Sequence, residues 1–230
     1  MSTERPPAGA DRDIASRVQI LATEHWSLLA TRSLTYTEAL SRVTIFLAIL
    51  SGAVIALALV AQADRFGPAF IAIAIPMLAV VLFAGVATVS RLNALNRDDY
   101  RWVIAMNRLR HAYLELHPDL ESSFTTSPYD DLRGALQTLG IDDATAGRGL
   151  GSALHVFQTL PGMLTLVVAG VAGAIGALAA LAVGSPPLGT VSAAAAAFAP
   201  VVGWFGIQGR RAVSRPDASL EPRFRSPRPF

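Results

Sequence analysis

The sequence predicts an all-α membrane protein with four transmembrane helices, cytoplasmic helical extensions and both termini in the cytoplasm. Three observations carry that prediction. Residues 43–63, 68–89, 163–183 and 188–207 contain no Asp, Glu, Lys, Arg or His, and each run is 20 to 22 residues long. A helix rising about 1.5 Å per residue needs roughly 20 residues to cross a hydrocarbon core about 30 Å thick. The chain has no Lys, and 18 of its 19 arginines fall in residues 1–42, 91–158 and 208–230. The short turns after the first and third spans hold only Arg65, so the positive-inside rule puts the Arg-bearing segments in the cytoplasm. Helical periodicity, finally, continues beyond the spans on the charged side.

Residues 1–12 are polar, with paired prolines, and read as a disordered arm. Residues 13–117 form the first structural block: a cytoplasmic helix, the 43–63 and 68–89 hairpin, and a second cytoplasmic helix. In the first helix Ile14, Val18, Leu21, His25 and Leu28 recur at spacings of four and three. Thr35-Tyr36-Thr37-Glu38 fits a capping box, which would break this helix from the first span; one continuous helix from Ile14 to Ala63 is the alternative. The first 42 residues are too charged for a cleavable signal peptide, so the first span is the expected targeting signal.

Beyond the second span, Leu92, Leu95, Asp99, Trp102, Met106, Leu109, Tyr113 and Leu116 repeat at alternating spacings of 3 and 4. This heptad seam, ending near His117-Pro118, favours helix–helix packing over a helix lying on the membrane surface. Residues 118–158 read as a cytoplasmic linker with a short helix over 128–139, capped by Ser127 with Pro128 at its first position and stopped by Gly140. Residues 141–151 read as flexible, and 151–158 as a short interfacial helix. The second hairpin occupies 159–207, with spans 163–183 and 188–207. Residues 208–230, rich in Pro and Arg, read as a basic disordered tail near the headgroups.

The third span carries the strongest packing signal. Ala169, Gly173 and Ala177 lie one turn apart, as do Ala172, Gly176 and Ala180, with Gly170 alongside; Gly52 marks a similar position in the first span. Small residues let helix backbones approach in lipid, where no hydrophobic force drives association. Such stripes serve packing within one bundle or an interface between copies. Pro76 and Pro200 interrupt hydrogen bonding inside their spans, but no charged side chain accompanies them as expected of a proton-coupled carrier.

The chain has no Cys, which excludes disulfides and thiolate chemistry. His25, His111, His117 and His155 lack metal-ligand spacing, and no nucleophile–base pattern is present, so neither cofactor, metal nor enzymatic activity is expected. The pairs Asp98-Asp99, Asp130-Asp131 and Asp142-Asp143 read as solvated charge. Gly147 to Gly151 lacks the strand and the Lys-Ser/Thr of a phosphate loop. A net charge of +2 fits attraction of the arginine-rich flanks to anionic lipid headgroups and suggests no nucleic-acid partner.

The stalk offers a specific pair. Arg32 stands eleven residues before Val43 and Asp99 ten after Val89, so in an antiparallel pair both lie roughly 15 Å from the membrane boundary. Each occupies an inward position of its helix, and pairing would fix the register.

Residues 21–36 (LATEHWSLLATRSLTY), 107–116 (NRLRHAYLEL) and 160–163 (LPGM) resemble segments of a family of uncharacterised bacterial multi-pass integral membrane proteins, a similarity running from about residue 18 to 183. The resemblance implies membrane residence and brings no function with it. The plan of cytoplasmic helix, two-span hairpin and cytoplasmic helix also resembles SLATT-type two-span effector domains, which implies a pore under nucleotide-signal control. The third and fourth spans depart from that pattern. The expectation is an inner-membrane protein that forms a homo-oligomer through small-residue spans and its helical stalk. A pore-forming effector gated at the cytoplasmic helices and a carrier for a small apolar compound are the alternatives.

Overall fold

A computed structural model describes residues 8–140, 159–214 and 220–227. The expected linker 141–151 and interfacial helix 151–158 lie outside the described residues, as do residues 1–7 of the arm. Helix α1 (Ala8–Asp64) leads through a short corner to α2 (Pro68–Leu116); a 3-10 turn (Pro118–Ser123) and α3 (Leu132–Thr138) follow, then α4 (Leu160–Ala182) and α5 (Pro187–Ser214). No strand occurs among the described residues. Four of the helices are long and apolar enough to cross a membrane, the architecture of a multi-pass membrane protein.

Helix α1 is continuous over 57 residues, so the chain takes the unbroken alternative at Thr35. The physical reason is local. Thr35 Oγ1 donates back to the Thr31 carbonyl at 3.0 Å, and Glu38 turns to Arg42 and Arg91 instead of reaching back to cap. Thr and Ser side chains bonding the carbonyl four residues earlier leave a helix intact. Helix α2 ends at Leu116, where His117 leaves the helical region before Pro118, as sterics before a proline ring favour.

The described residues belong to two compact units. One draws on Thr37–Asn96 and Gly149–Arg215, and the other on Met1–Tyr36, Arg97–Arg148 and Pro216–Phe230. The first is apolar. Its core gathers Val43 and Phe46 of α1, Val81, Val89 and Leu92 of α2, Leu164, Val168 and Val171 of α4, and Phe205 of α5. Gly85 sits where three helices meet: a Cβ there would stand 2.6 Å from Val168 Cγ2 and 2.9 Å from Phe46 Cε2. Phe83, Val183 and Leu188 remain 76–81% exposed, large apolar surfaces suited to hydrocarbon rather than water.

The α1–α2 corner places Arg65 and Phe66 at positive φ (48° and 62°), and Asp64 Oδ2 accepts from Phe70 N at 2.6 Å. Helix α4 starts at Thr159, whose hydroxyl accepts from Gly162 N, with Pro161 in the first turn. It ends in a Schellman turn: Gly184 (φ 71°) donates to Leu181 O and Ser185 N to Ala180 O, both at 3.0 Å.

The second unit is polar. Val103, Ile104 and Ala135 form a small core joined by Tyr100, Leu139 and Leu220. Helix α3 starts later than the sequence suggests. Asp131, not Ser127, is its N-cap, accepting from Gly134 N at 2.8 Å. Residues 128–130 leave the helix because Asp130 N donates to Phe224 O at 3.1 Å, committing that backbone to the tail. The tail itself differs from expectation. Helix α5 runs to Ser214, and residues 220–227 are docked against the 127–134 segment rather than free, held by the hydrogen bonds described next.

Candidate functional site: the ion-paired stalk and the docked tail

Two elements of the polar unit concentrate its charged chemistry. In the first, Arg32 of α1 and Asp99 of α2 are brought together as a fork: Nε donates to Oδ1 at 2.6 Å and Nη2 to Oδ2 at 3.2 Å. Both side chains are mostly buried, at 19% and 16% exposure. The Tyr36 hydroxyl closes the group, 3.4 Å from Arg32 Nη2 and 3.5 Å from Asp99 Oδ2, and the Arg32 guanidinium sits 5.7 Å over the Tyr36 ring. The hydrogen bond from Arg32 to Asp99 outweighs burial and raises the Arg32 pKa. The planar guanidinium fork matches a carboxylate in a way an ammonium does not.

The apolar unit holds a related cluster beyond the charge-free runs. Glu38 accepts from Arg91 Nε and Nη2 at 2.8 and 2.9 Å and from Arg42 Nε at 2.8 Å. Those bonds, Arg91 foremost, lower the Glu38 pKa to about 2.

The second element is the tail site. Asp130 is fully buried, and its carboxylate accepts from Arg108 Nε at 2.7 Å, Arg223 N at 3.0 Å and Phe224 N at 2.7 Å. Asp131 accepts from Gly134 N and from both the amide and the hydroxyl of Ser226, at 2.7–2.8 Å. Arg108 Nη2 also donates to the Glu221 carbonyl, and Phe224 stacks on His111 with ring centroids 3.7 Å apart. Burial pushes the Asp130 carboxyl up. The Arg223 amide, the Arg108 guanidinium and the Phe224 amide outweigh it and hold the pKa below its ordinary value. Burial likewise opposes Asp131, and the Gly134 and Ser226 donors prevail.

Asn107 supports this site from beneath. It is fully buried; its Nδ2 donates to the Tyr129 carbonyl at 2.7 Å, and its Oδ1 accepts from Thr138 Oγ1 and Arg110 Nη1 at 3.0 and 2.6 Å. Gly134 is needed where α3 begins, because a Cβ there would collide with the Tyr129 carbonyl. With three donors on it, two backbone amides and a guanidinium, the Asp130 carboxylate anchors the tail.

The small-residue stripe divides. Gly173 and Gly176 lie against α5: a Cβ on Gly173 would stand 3.3 Å from the Ala194 carbonyl oxygen, and one on Gly176 2.6 Å from that of Ala193. Ala169 is fully buried and Ala177 partly so. Among the described residues nothing stands within 4 Å of a Cβ built at Gly52 or Gly170. The sequence reading passed over Gly85, the one glycine of residues 68–89, and over the second face of α2, where Tyr100, Ile104, Asn107 and His111 recur at four, three and four. Among the described residues no group of three or more His, Asp or Glu is placed to hold a metal ion. No family model, curated protein or solved structure matches this chain.

Proposed function

We propose that this chain is a non-enzymatic, multi-pass protein of the bacterial inner membrane, with its polar unit and both termini in the cytoplasm, that associates with copies of itself. The observation that carries this reading is a second heptad stripe on α1. Ala22, Trp26, Leu29, Ser33 and Tyr36 follow one another at four, three, four and three, on a face turned away from Leu28 except at Tyr36, whose hydroxyl also meets the Arg32–Asp99 pair. Trp26, Leu29 and Tyr36 are 71%, 41% and 53% exposed, while Leu28 is buried. No position of the stripe is charged, and Ala22 and Ser33 are small enough to let a second helix lie close beside the two aromatic rings. An uncharged face of this kind at heptad spacing suits a partner helix better than water. The outward-facing Gly52 and Gly170 add positions where span backbones of two copies can approach.

The arginine distribution supports the cytoplasmic placement. The resemblance to SLATT-type effectors supports a narrower version in which the assembled spans surround a pore, and conductance across a planar bilayer separates that version from simple assembly. The chain's lack of Cys allows a direct test of association. Leu29→Cys or Trp26→Cys in native membranes is expected to give a disulfide-linked dimer on mild oxidation, whereas Glu24→Cys, off the stripe, gives little. Failure of both stripe positions to crosslink would overturn the reading.

A further inference from the structure

A buried cation in the polar unit has no counter-charge among the described residues. Arg110 of α2 is 7% exposed, and its one hydrogen bond among the described residues runs from Nη1 to the neutral amide oxygen of Asn107 at 2.6 Å. Among the described residues no carboxylate reaches ion-pair distance of it: Asp99 is engaged by Arg32, and Asp130 by Arg108 and the tail. Burial and the Arg32 guanidinium both depress the Arg110 pKa, and burial together with Arg110 depresses that of His25.

An Arg side chain does not escape this by deprotonating. Burying an unpaired charge is costly, and native chains meet that cost with a partner of opposite sign. Asn107 takes only Nη1, which leaves the Nε–Nη2 edge, the fork that binds carboxylate or phosphate through two parallel bonds. That edge is not sealed. The fully buried side-chain donor without a partner among the described residues is Trp102 Nε1, not a nitrogen of Arg110.

Two more partly buried polar side chains stand here without hydrogen-bond partners among the described residues. His25 comes from α1 and Tyr113 from α2, one turn beyond Arg110, and their ring centroids are 6.2 Å apart. An Arg fork, an imidazole and a phenol at one place offer donors, with no charged acceptor among the described residues. We propose that Arg110, His25 and Tyr113 form a binding site for an oxyanion, a phosphate or carboxylate group, held between α1 and α2. Asn107 is its positioning residue, orienting the Arg110 fork and tying it to Tyr129 and Thr138. The site is independent of self-association, since every residue in it comes from one chain.

The test uses the full chain in nanodiscs, first freed of phosphate and carboxylate buffers, with inorganic phosphate and acetate titrated separately against thermal unfolding and by calorimetry. The expected result is a saturable upward shift with at least one of the two. A response to phosphate alone assigns a phosphate-bearing ligand, and a response to both assigns the oxyanion class. Arg110→Met is expected to abolish the response while melting no lower than the parent in anion-free buffer, because it removes an uncompensated buried charge. Tyr113→Phe, which keeps the ring against His25, is expected to weaken binding by about an order of magnitude, the loss of one hydrogen bond to a charged group. No shift with either anion would overturn the site. So would a shift that survives intact in Tyr113→Phe and His25→Gln, two variants that leave the Arg110 charge in place should Arg110→Met fail to fold.

Discussion

Asp130 and Phe224 are joined twice: the Asp130 amide donates to the Phe224 carbonyl at 3.1 Å, and the Phe224 amide donates to Asp130 Oδ1 at 2.7 Å. The partners lie 94 residues apart in sequence. A segment with the composition of a free tail is thereby made part of a folded unit. Asp130→Ala is expected to release it, leaving Arg108 without its carboxylate and two amides without an acceptor. Removing one member of a largely buried pair costs about 3 kcal/mol. Hydrogen exchange checks this: the Arg223 and Phe224 amides should be protected in the parent and exchange freely in the variant, with the α4 amides unchanged.

The same contact makes the tail acid-sensitive. Folding depresses the pKa of both Asp130 and Asp131, so their contribution is fully present above the ordinary carboxylate value, about 3.9, and is lost as pH falls through their lower folded values. Protection of the Arg223, Phe224 and Ser226 amides should therefore be level from pH 7 to pH 5 and collapse below about pH 4. Protection that falls already between pH 7 and pH 6 would contradict the assignment to these two carboxylates.

For Arg32 and Asp99 the expectation is coupling rather than large net stability. Each single Ala substitution strands a mostly buried charge, while replacing both by Leu removes the pair and its desolvation together. A double-mutant cycle in urea should give an interaction energy of about 1–2 kcal/mol, as residues in direct contact do. Additive losses would mean that the two side chains act separately.

The glycines of α4 should divide by surroundings. Gly176→Leu meets the Ala193 carbonyl and the Ala197 Cβ, neither of which can move without shifting α5, and overpacking of this kind costs about 1–3 kcal/mol. Gly173→Leu should act in the same direction. Gly170→Leu, with open space at its Cβ position, should leave the unfolding midpoint of the monomer unchanged, and Leu166→Ala, at a 38% exposed site, should cost less than either packed glycine. Unfolding in detergent followed by circular dichroism ranks the four.

These outcomes also separate what residues announce from what they conceal. Charge-free runs of about 20 residues leave few physical alternatives, so four apolar helices could be read directly. Arg32 and Asp99 were legible as a pair because each interrupts an inward apolar stripe at the same distance from its span. The tail site was not. Its bonds run largely to backbone amides of Arg223, Phe224 and Ser226, and an amide leaves no trace in residue identity. Adjacent aspartates suggest solvent, and Pro- and Arg-rich composition suggests disorder, until the two are seen to satisfy each other. Gly85 gave no repeat to notice; its role comes from Phe46 and Val168, on two other helices.

The central claim, that the chain is a multi-pass membrane protein whose polar unit lies in the cytoplasm, is tested most directly by cysteine accessibility in a chain with no native Cys. Leu116→Cys and Ser185→Cys are treated, in intact cells and then in opened ones, with a membrane-impermeant thiol reagent. The account predicts labelling of residue 185 from outside and of residue 116 only after the cells are opened. Labelling of Leu116→Cys in intact cells would contradict it.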